Sequence, residues 1–341
     1  MTDSGRLSYA LITPVRDEAR HVRRTVESIL AQTHRPAAWV IVDDGSTDGT
    51  WEIVSGYAEV HPWIRLIRSD QDGTRARGGR IVSAFNRGRA ELTERPEVTV
   101  KLDADLYLPP HYFAWVTEVF ARAASAGVVG GLGHIFDGFI WTPETGTRHN
   151  VIGYAKAYRT DCLDDIGGLQ PSMGWDGIDE YSARARGWTV HVLPELPILH
   201  FKARGSEQDW WRARWEEGVG NAFMGYRTDF LLFRVAYRAL REYPPGLGGL
   251  VLGAGFAWSR LTRRPQVPDA AARAELRREQ RARLRALLSP RARVALNPPL
   301  SGGGPAFWTD GSCRSAVTDA ATPDAPTPDA NDPARPDITH G

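Results

Sequence analysis

The feature that most constrains this 341-residue chain is a unit repeated near its start: a short apolar run, an acidic loop, then apolar residues at helical spacing. Tyr9 to Thr13 is such a run. It ends at Pro14, with Asp17 and Glu18 ahead of Val22, Val26, Ile29 and Leu30. This order predicts a strand, a loop and a capped helix, because positions i, i+4, i+7 and i+8 share one helix face. Ala38 to Val42, the turn DDGSTDGT and Trp51 to Tyr57 repeat the unit, with Ser46 to Asp48 placed to cap the second helix. A strand at Ile64 to Ile67, a helix from Arg80 to Leu92 and a strand at Val98 to Leu102 extend it. Strands alternating with helices imply right-handed crossovers and a mainly parallel sheet, so the expected class is α/β. In such sheets ligands bind beyond the carboxyl ends of the strands. The acids at Arg16-Asp17-Glu18, at Asp43-Asp44 and at Asp103 and Asp105 each follow a strand, and are expected to line one crevice.

After a helix at Tyr112 to Ala123 and a strand at Val128 to Gly131 the alternation loosens, and elements of mixed type are expected up to His200. From Asp209 to Tyr243 the pattern is helical again. Gly246 to Trp258 is Gly-rich and apolar, with the length of a buried or interfacial segment, short of the roughly 20 residues that span a bilayer. Residues 301–341, rich in Pro, Asp, Thr, Ala and Gly, offer too little apolar surface to offset ordering entropy, and a disordered tail is expected. The chain therefore reads as a main domain over 1–240, a helical extension over 241–300 and a tail over 301–341.

The formal charge of +1 gives no global basic field, so nucleic acid is not the expected partner. Charge is local instead: Arg260 to Arg293 holds eleven Arg against Asp269, Glu275 and Glu279. A basic helix there fits an anionic membrane surface, or plain solvation with no partner. Lysine is almost absent, with only Lys101, Lys156 and Lys202. Cys162 and Cys313 have no metal-ligand spacing, and a reducing cytoplasm fits them. Met1 to Ser8 lacks the pattern of a signal peptide.

Asp103 and Asp105 in KLDADLYLPP stand two residues apart after an apolar strand. Carboxylates so placed can hold Mn2+ or Mg2+ through oxygen and leave positions for a diphosphate; the same pattern also occurs in ordinary surface loops. Asp43 and Asp44 end a buried strand where a core needs no charge, and could accept hydrogen bonds from a base N–H or ribose hydroxyls.

ITPVRDEA, IVDDGSTDGT and KLDADLYLPP, in this order and at these intervals, resemble family 2 of the glycosyltransferases over roughly residues 8 to 240. Members have the GT-A fold, use nucleoside-diphosphate sugars and mostly invert the anomeric centre. The resemblance implies that Pro14, Arg16 and Glu18 border the nucleotide pocket, that Asp44 with Asp43 binds base or ribose, and that Asp103 and Asp105 serve ribose, diphosphate and metal. RARGGRIVSAFNRG resembles a family helix, making Arg75 and Arg77 candidate diphosphate partners, with solvated loop charge as the alternative. GWDGIDEYSARARGW resembles the region of the acidic base. Eleven residues before Gly187 stands Asp176, although Trp175 replaces the Glu that usually precedes it. Asp179 is the reserve choice, and Glu180 reads as a helix-start charge.

In some relatives a His at the position of His200 completes the metal shell; a hydrogen-bonded structural His is the alternative. WWRARWEEG resembles an Arg-Trp segment of processive synthases, but Trp211 stands where those have Gln. Arg214 and Trp215 are thus candidate donor or acceptor contacts, against a default of amphipathic packing. The expected activity is metal-dependent transfer of one sugar to a glycan or lipid-linked acceptor in cell-surface glycan synthesis. The alternatives are a nucleotidyltransferase and a non-catalytic nucleotide-sugar-binding protein.

Overall fold

The computed structural model describes residues 6–69, 79–136, 141–144, 150–172, 174–201, 210–241 and 246–288. Arg75, Arg77 and the expected tail over 301–341 lie outside these residues. The first half alternates as expected: β1 (Tyr9–Val15), α1 (Val22–Leu30), β2 (Ala38–Asp43), α2 (Thr50–Val60), β3 (Ile64–Arg68), α3 (Gly79–Ala90) and β4 (Val98–Leu102). There follow β5 (Leu106–Tyr107), α4 (Tyr112–Arg122), β6 (Ala126–Phe136), β7 (Trp141–Pro143), β8 (Ala155–Arg159), α5 (Thr160–Asp165), α6 (Trp175–Ala185) and β9 (Thr189–His200). Four helices end the described chain: α7 (Trp210–Phe223), α8 (Thr228–Arg241), α9 (Leu247–Leu261) and α10 (Ala270–Leu288).

The strands make one mixed sheet in the order β3-β2-β1-β4-β8-β6-β9-β5, with β7 on β6. β1 to β4 pair parallel, β8 runs antiparallel to both β4 and β6, and β9 is parallel to β6. The carboxyl ends of β1, β2, β4, β6 and β9 therefore all reach the same edge. Both faces of the sheet are covered, which is why its strands read as continuous apolar runs. Tyr9, Leu11, Trp39, Ile41 and Val100 pack on α1, α2 and α4, while Ile12 packs with Val82, Phe85 and Leu163 on the other face.

One local reading of the sequence changes and one holds. α1 begins after His21 with no side-chain cap, so Asp17 and Glu18 do not cap it. α2 starts after Gly49 in left-handed geometry, and Asp48 Oδ1 accepts from Thr50 N at 3.1 Å in its first turn. Asp17 and the second oxygen of Asp48 tie the two loops together, as described below.

One irregularity fixes the far end of the sheet. Along β6 and β9 the register jumps from Gly131 opposite Leu193 to Leu132 opposite Pro197, leaving Pro194, Glu195 and Leu196 as an insertion. The insertion folds over Gly131, where an added Cβ would stand 2.2 Å from the Leu196 carbonyl oxygen. Past it, β9 continues far enough to set His200 opposite Leu106 of β5.

The last helices form two groups. α7 and α8 pack on α9 by backbone-close contact: a Cβ on Gly218 would meet the Leu252 oxygen at 2.1 Å, and one on Gly249 the Val235 oxygen at 2.4 Å. α10 returns to α6, burying Leu276 and Ala272 beside Tyr181. Among the described residues no helix is long and apolar enough to cross a membrane.

The bulge predicts a contrast between two glycines. Gly131→Ala, which must push a backbone carbonyl aside, is expected to cost about 1–3 kcal/mol in urea denaturation. Gly56→Ala on exposed α2, with no atom within 4 Å of the new methyl, is expected to add up to about 1 kcal/mol.

Candidate active site

Three loops at the common edge carry the acids. The loops after β1 and β2 are laced together. Asp17 adopts a positive φ of 51°; its N–H donates to Ser46 Oγ at 3.1 Å and its carboxylate accepts from Thr47 N at 2.8 Å. Glu18 N donates to Thr50 Oγ1 at 2.8 Å, and Ala19 N to Asp48 Oδ2 at 2.9 Å. Burial would raise the Asp48 pKa, but hydrogen bonds from Thr50 Oγ1, Ala19 N and Thr50 N outweigh it and hold the carboxyl below the usual range.

The two Asp that end β2 part company. Asp43 turns inward, fully buried, and accepts from Ser46 Oγ and from Ser46 N at 3.1 Å, so its carboxylate is spent on shaping the loop. Asp44 stays partly exposed and pairs with Arg80 at 2.8 Å. Arg80 opens α3 and was not singled out from sequence, where Arg75 and Arg77 drew attention as the diphosphate candidates. Pro14 lies on β1 opposite Val42, and Arg16 is exposed beside Asp17 at 3.6 Å.

The third loop separates its two acids as well. Asp103 is ion-paired with Lys101, whose ammonium also donates to the Gly153 carbonyl at 2.7 Å. Burial pushes the Asp103 carboxyl up and Lys101 opposes the shift. Asp105 turns the other way, and its Oδ2 lies 3.1 Å from His200 Nε2. The imidazole packs against the Tyr154 ring at 4.1 Å, and its Nδ1 is buried with no hydrogen-bond partner among the described residues. This pair fits a divalent cation. Adjacent ligands bound at about 2.1 Å stand about 3 Å apart, and oxygen with imidazole suits Mn2+. Among the described residues no group of three His, Cys, Asp or Glu converges, so Asp105 and His200 are brought together without Asp103.

Asp176 and Asp179 diverge on α6. Asp176, in the first turn, is exposed on the wall of a cleft of about 870 Å3 that Arg214, Phe233 and Tyr237 also line. It lies near Asp103: a Cβ on Gly153 would be 3.5 Å from the Asp176 Cβ, and Gly153 shares Lys101 with Asp103. Asp179 points into the core instead. It accepts from Lys156 Nζ at 3.0 Å and from the Tyr158 hydroxyl at 2.5 Å, and has no open side toward the cleft. Glu180 is not a helix-start charge but wholly buried, 3.0 Å from Lys156, with Val151 N donating to it at 2.7 Å. Burial pushes its carboxyl up to about 7.

Lys101 and Lys156 face each other across the β4–β8 pair, both buried, and both lie near the Trp175 ring at 5.2 and 6.0 Å. Lys156 also donates to the Asp176 carbonyl at 2.5 Å. The sequence did carry a signal for these residues: of three lysines among 42 basic residues, two occupy this layer. Arg214 reaches the cleft paired with Glu217 at 2.9 Å, whereas Trp215 packs on Trp258 of α9 at 5.6 Å, away from it.

Comparison with known proteins finds a family model that matches these loops. The model of the Glycosyl transferase family 2 matches residues 10–171, which takes in the loops after β1, β2 and β4 and stops short of Asp176 and His200. An uncharacterized glycosyltransferase of Nostoc is 38% identical over 111 residues, covering 33% of this chain and 32% of that protein. An O-antigen biosynthesis protein of Myxococcus xanthus is 27% identical over 195 residues, covering 54% of this chain and 14% of that protein. The matched segments thus span a third or less of these relatives. Among solved structures, GalNAc-T7 with UDP, GalNAc and Mn2+ superposes with a TM-score of 0.51 at 14% identity, over 77% of this chain and 56% of that one.

The buried layer predicts a pH effect. A folded-state pKa raised from 4.5 to about 7 means that the Glu180 contribution to stability is full below about pH 4.5 and lost as pH rises through about 7. The wild type is therefore expected to lose stability relative to Glu180→Gln across that interval. A flat difference in urea titrations would contradict this. Lys156→Met, which strands two buried carboxylates, is expected to cost about 3–5 kcal/mol.

Proposed function

From the match of residues 10–171 to the Glycosyl transferase family 2 model, on a GT-A fold, we propose that the chain transfers a sugar from a nucleoside diphosphate to an acceptor hydroxyl with inversion. One observation carries this reading: at one sheet edge the fold gathers a partly exposed Asp44, an Asp105–His200 pair and, beside Asp103, an exposed Asp176 on a large cleft. The donor lies across the ends of β1, β2 and β4, where its base and ribose meet Asp44 and the laced loops around Pro14, Arg16 and Glu18. Arg80 is well placed to balance diphosphate charge, a role sequence alone gave to Arg75 and Arg77. Asp105 and His200 would hold Mn2+ or Mg2+, which neutralises charge on the departing nucleoside diphosphate.

The rest of the chemistry belongs to side chains of the chain. Asp176 accepts the proton of the acceptor hydroxyl as its oxygen bonds to the anomeric carbon, and the bond to the diphosphate oxygen breaks on the opposite face. The cleft holds the acceptor, with Arg214 and the rings of Phe233 and Tyr237 supplying polar and apolar contacts. Tyr and Phe faces suit sugar rings or an apolar carrier. The Myxococcus relative's role in O-antigen biosynthesis supports a cell-surface glycan or lipid-linked acceptor.

The base assignment is tested with Asp176→Asn on whichever of UDP-, GDP- and dTDP-sugars the wild type hydrolyses. Turnover is expected to fall by about 10²–10⁴, with donor affinity within about twofold. Unchanged turnover would remove Asp176 from the mechanism.

A further inference from the structure

The surfaces of α8 and α9 stand apart from the rest of the molecule. The inner face of α9 is Gly248, Gly249, Leu252, Gly255, Phe256 and Ser259, packed on its neighbours. Its outer face, at spacing i, i+3, i+7, i+10, i+11 and i+14, is Leu247, Leu250, Ala254, Ala257, Trp258 and Leu261, all exposed. Leu250 is 64% and Leu261 83% exposed, values expected of a lysine. α8 continues the surface with Leu232, Phe233, Ala236, Tyr237 and Leu240, Leu240 being 84% exposed. Two packed helices thus turn apolar faces outward, and contiguous exposed apolar surface marks an interaction site.

The charge around this surface says what it meets. Among the described residues of α8 and α9 the only acid is Asp229, in the first turn of α8 and paired with Arg227 at 2.5 Å, while Arg260, Arg263 and Arg264 stand exposed at the end of α9. The Arg264 guanidinium lies 4.1 Å from the Trp258 ring. Trp beside Arg at the border of an apolar face is the arrangement that suits a lipid headgroup boundary. A second copy of the chain would set one positive fringe against another. The Arg-rich α10, which from sequence fits a membrane surface or plain solvation, packs one face on α6, and its Arg278 and Arg283 pair with Glu275 and Glu279.

We propose that the α8–α9 hairpin docks in the surface plane of an anionic phospholipid bilayer, its Leu and Trp side chains entering the acyl boundary and its Arg fringe meeting lipid phosphates. Phe233 and Tyr237 belong both to this face and to the cleft that holds Asp176. The cleft therefore opens beside the membrane, and the acceptor class is a glycan carried on a membrane-embedded lipid. This last step rests on the transferase reading; the docking does not.

The test is flotation of the full chain with vesicles of phosphatidylcholine alone and of phosphatidylcholine mixed with phosphatidylglycerol. The wild type is expected to float with the mixed vesicles and to be released by high salt. The double variant Leu250→Glu, Leu261→Glu, whose positions are too exposed to disturb folding, is expected to bind at least about tenfold more weakly. Arg260→Glu with Arg263→Glu is expected to abolish the preference for the anionic lipid. A wild type that stays at the bottom of the gradient overturns the proposal, as does a Leu double variant that floats like the wild type. So does a dimer seen by sedimentation equilibrium that the Leu substitutions break while no vesicle binding occurs. Nucleoside-diphosphate binding by the same preparation separates the two readings: flotation without nucleotide binding leaves the docking standing and removes the transferase.

Discussion

The site rests on a buried layer of charge between β4, β8 and α6. Lys156 enters the core from the start of β8, and its ammonium is met by Asp179, Glu180 and the Asp176 carbonyl, all from the first two turns of α6. A buried ammonium without these partners would be prohibitively costly, so the three contacts fix how α6 is rotated against the sheet. Burial opposes the charge on Lys156, and the carboxylates more than offset it, holding the pKa above its ordinary value. With α6 fixed, Asp176 faces outward one residue beyond Trp175, whose ring covers both lysines. Lys101 performs the matching task one strand away by holding Asp103 and the Gly153 carbonyl. The candidate base and the Asp103 loop are thereby locked to a common frame.

Around that frame the acids divide between support and exposure. In two of three pairs one carboxylate is buried and consumed internally while its neighbour remains accessible; in the third, Asp103 is paired with a lysine and Asp105 is buried against a histidine. Asp43 shapes the turn and Asp44 reaches out to Arg80; Asp103 is neutralised by Lys101 and Asp105 meets His200; Asp179 is buried and Asp176 lines the cleft. The pairing explains why doubled acids recur at these loops: one sets the backbone from which the other projects. Second-tier groups that lock a reactive constellation in place are what preorganisation requires.

Much of this was legible in the sequence. The strand and helix order through β4, the parallel pairing and the common edge followed from periodicity and from acids placed after apolar runs. What periodicity cannot give is the direction of a side chain within a loop or a helix start. Asp43 and Asp44 are adjacent, and only the Ser46 contacts decide which one turns inward. Asp176, Asp179 and Glu180 lie within two turns of one helix, and the choice among them is set by Lys156, a residue on a strand 20 residues or more away. The insertion at Gly131 that carries His200 to Asp105 has no local signature either, since the glycine is explained by the Leu196 carbonyl above it. On α9 the Gly-rich apolar run reads as a buried or interfacial segment, and the glycines let the helix sit flush on α7 and α8 while its leucines face outward.

The central claim is that Asp105, with His200, makes nucleotide binding depend on a divalent cation at this edge. The most direct measurement is calorimetric titration of UDP and GDP into wild type and Asp105→Ala, each with Mn2+ and with a chelator present. The account predicts that one nucleotide binds the wild type at least about tenfold more tightly with Mn2+, and that Asp105→Ala abolishes the difference while leaving the fold intact. Binding that ignores both Mn2+ and Asp105, or no binding of either nucleotide under any condition, would contradict it.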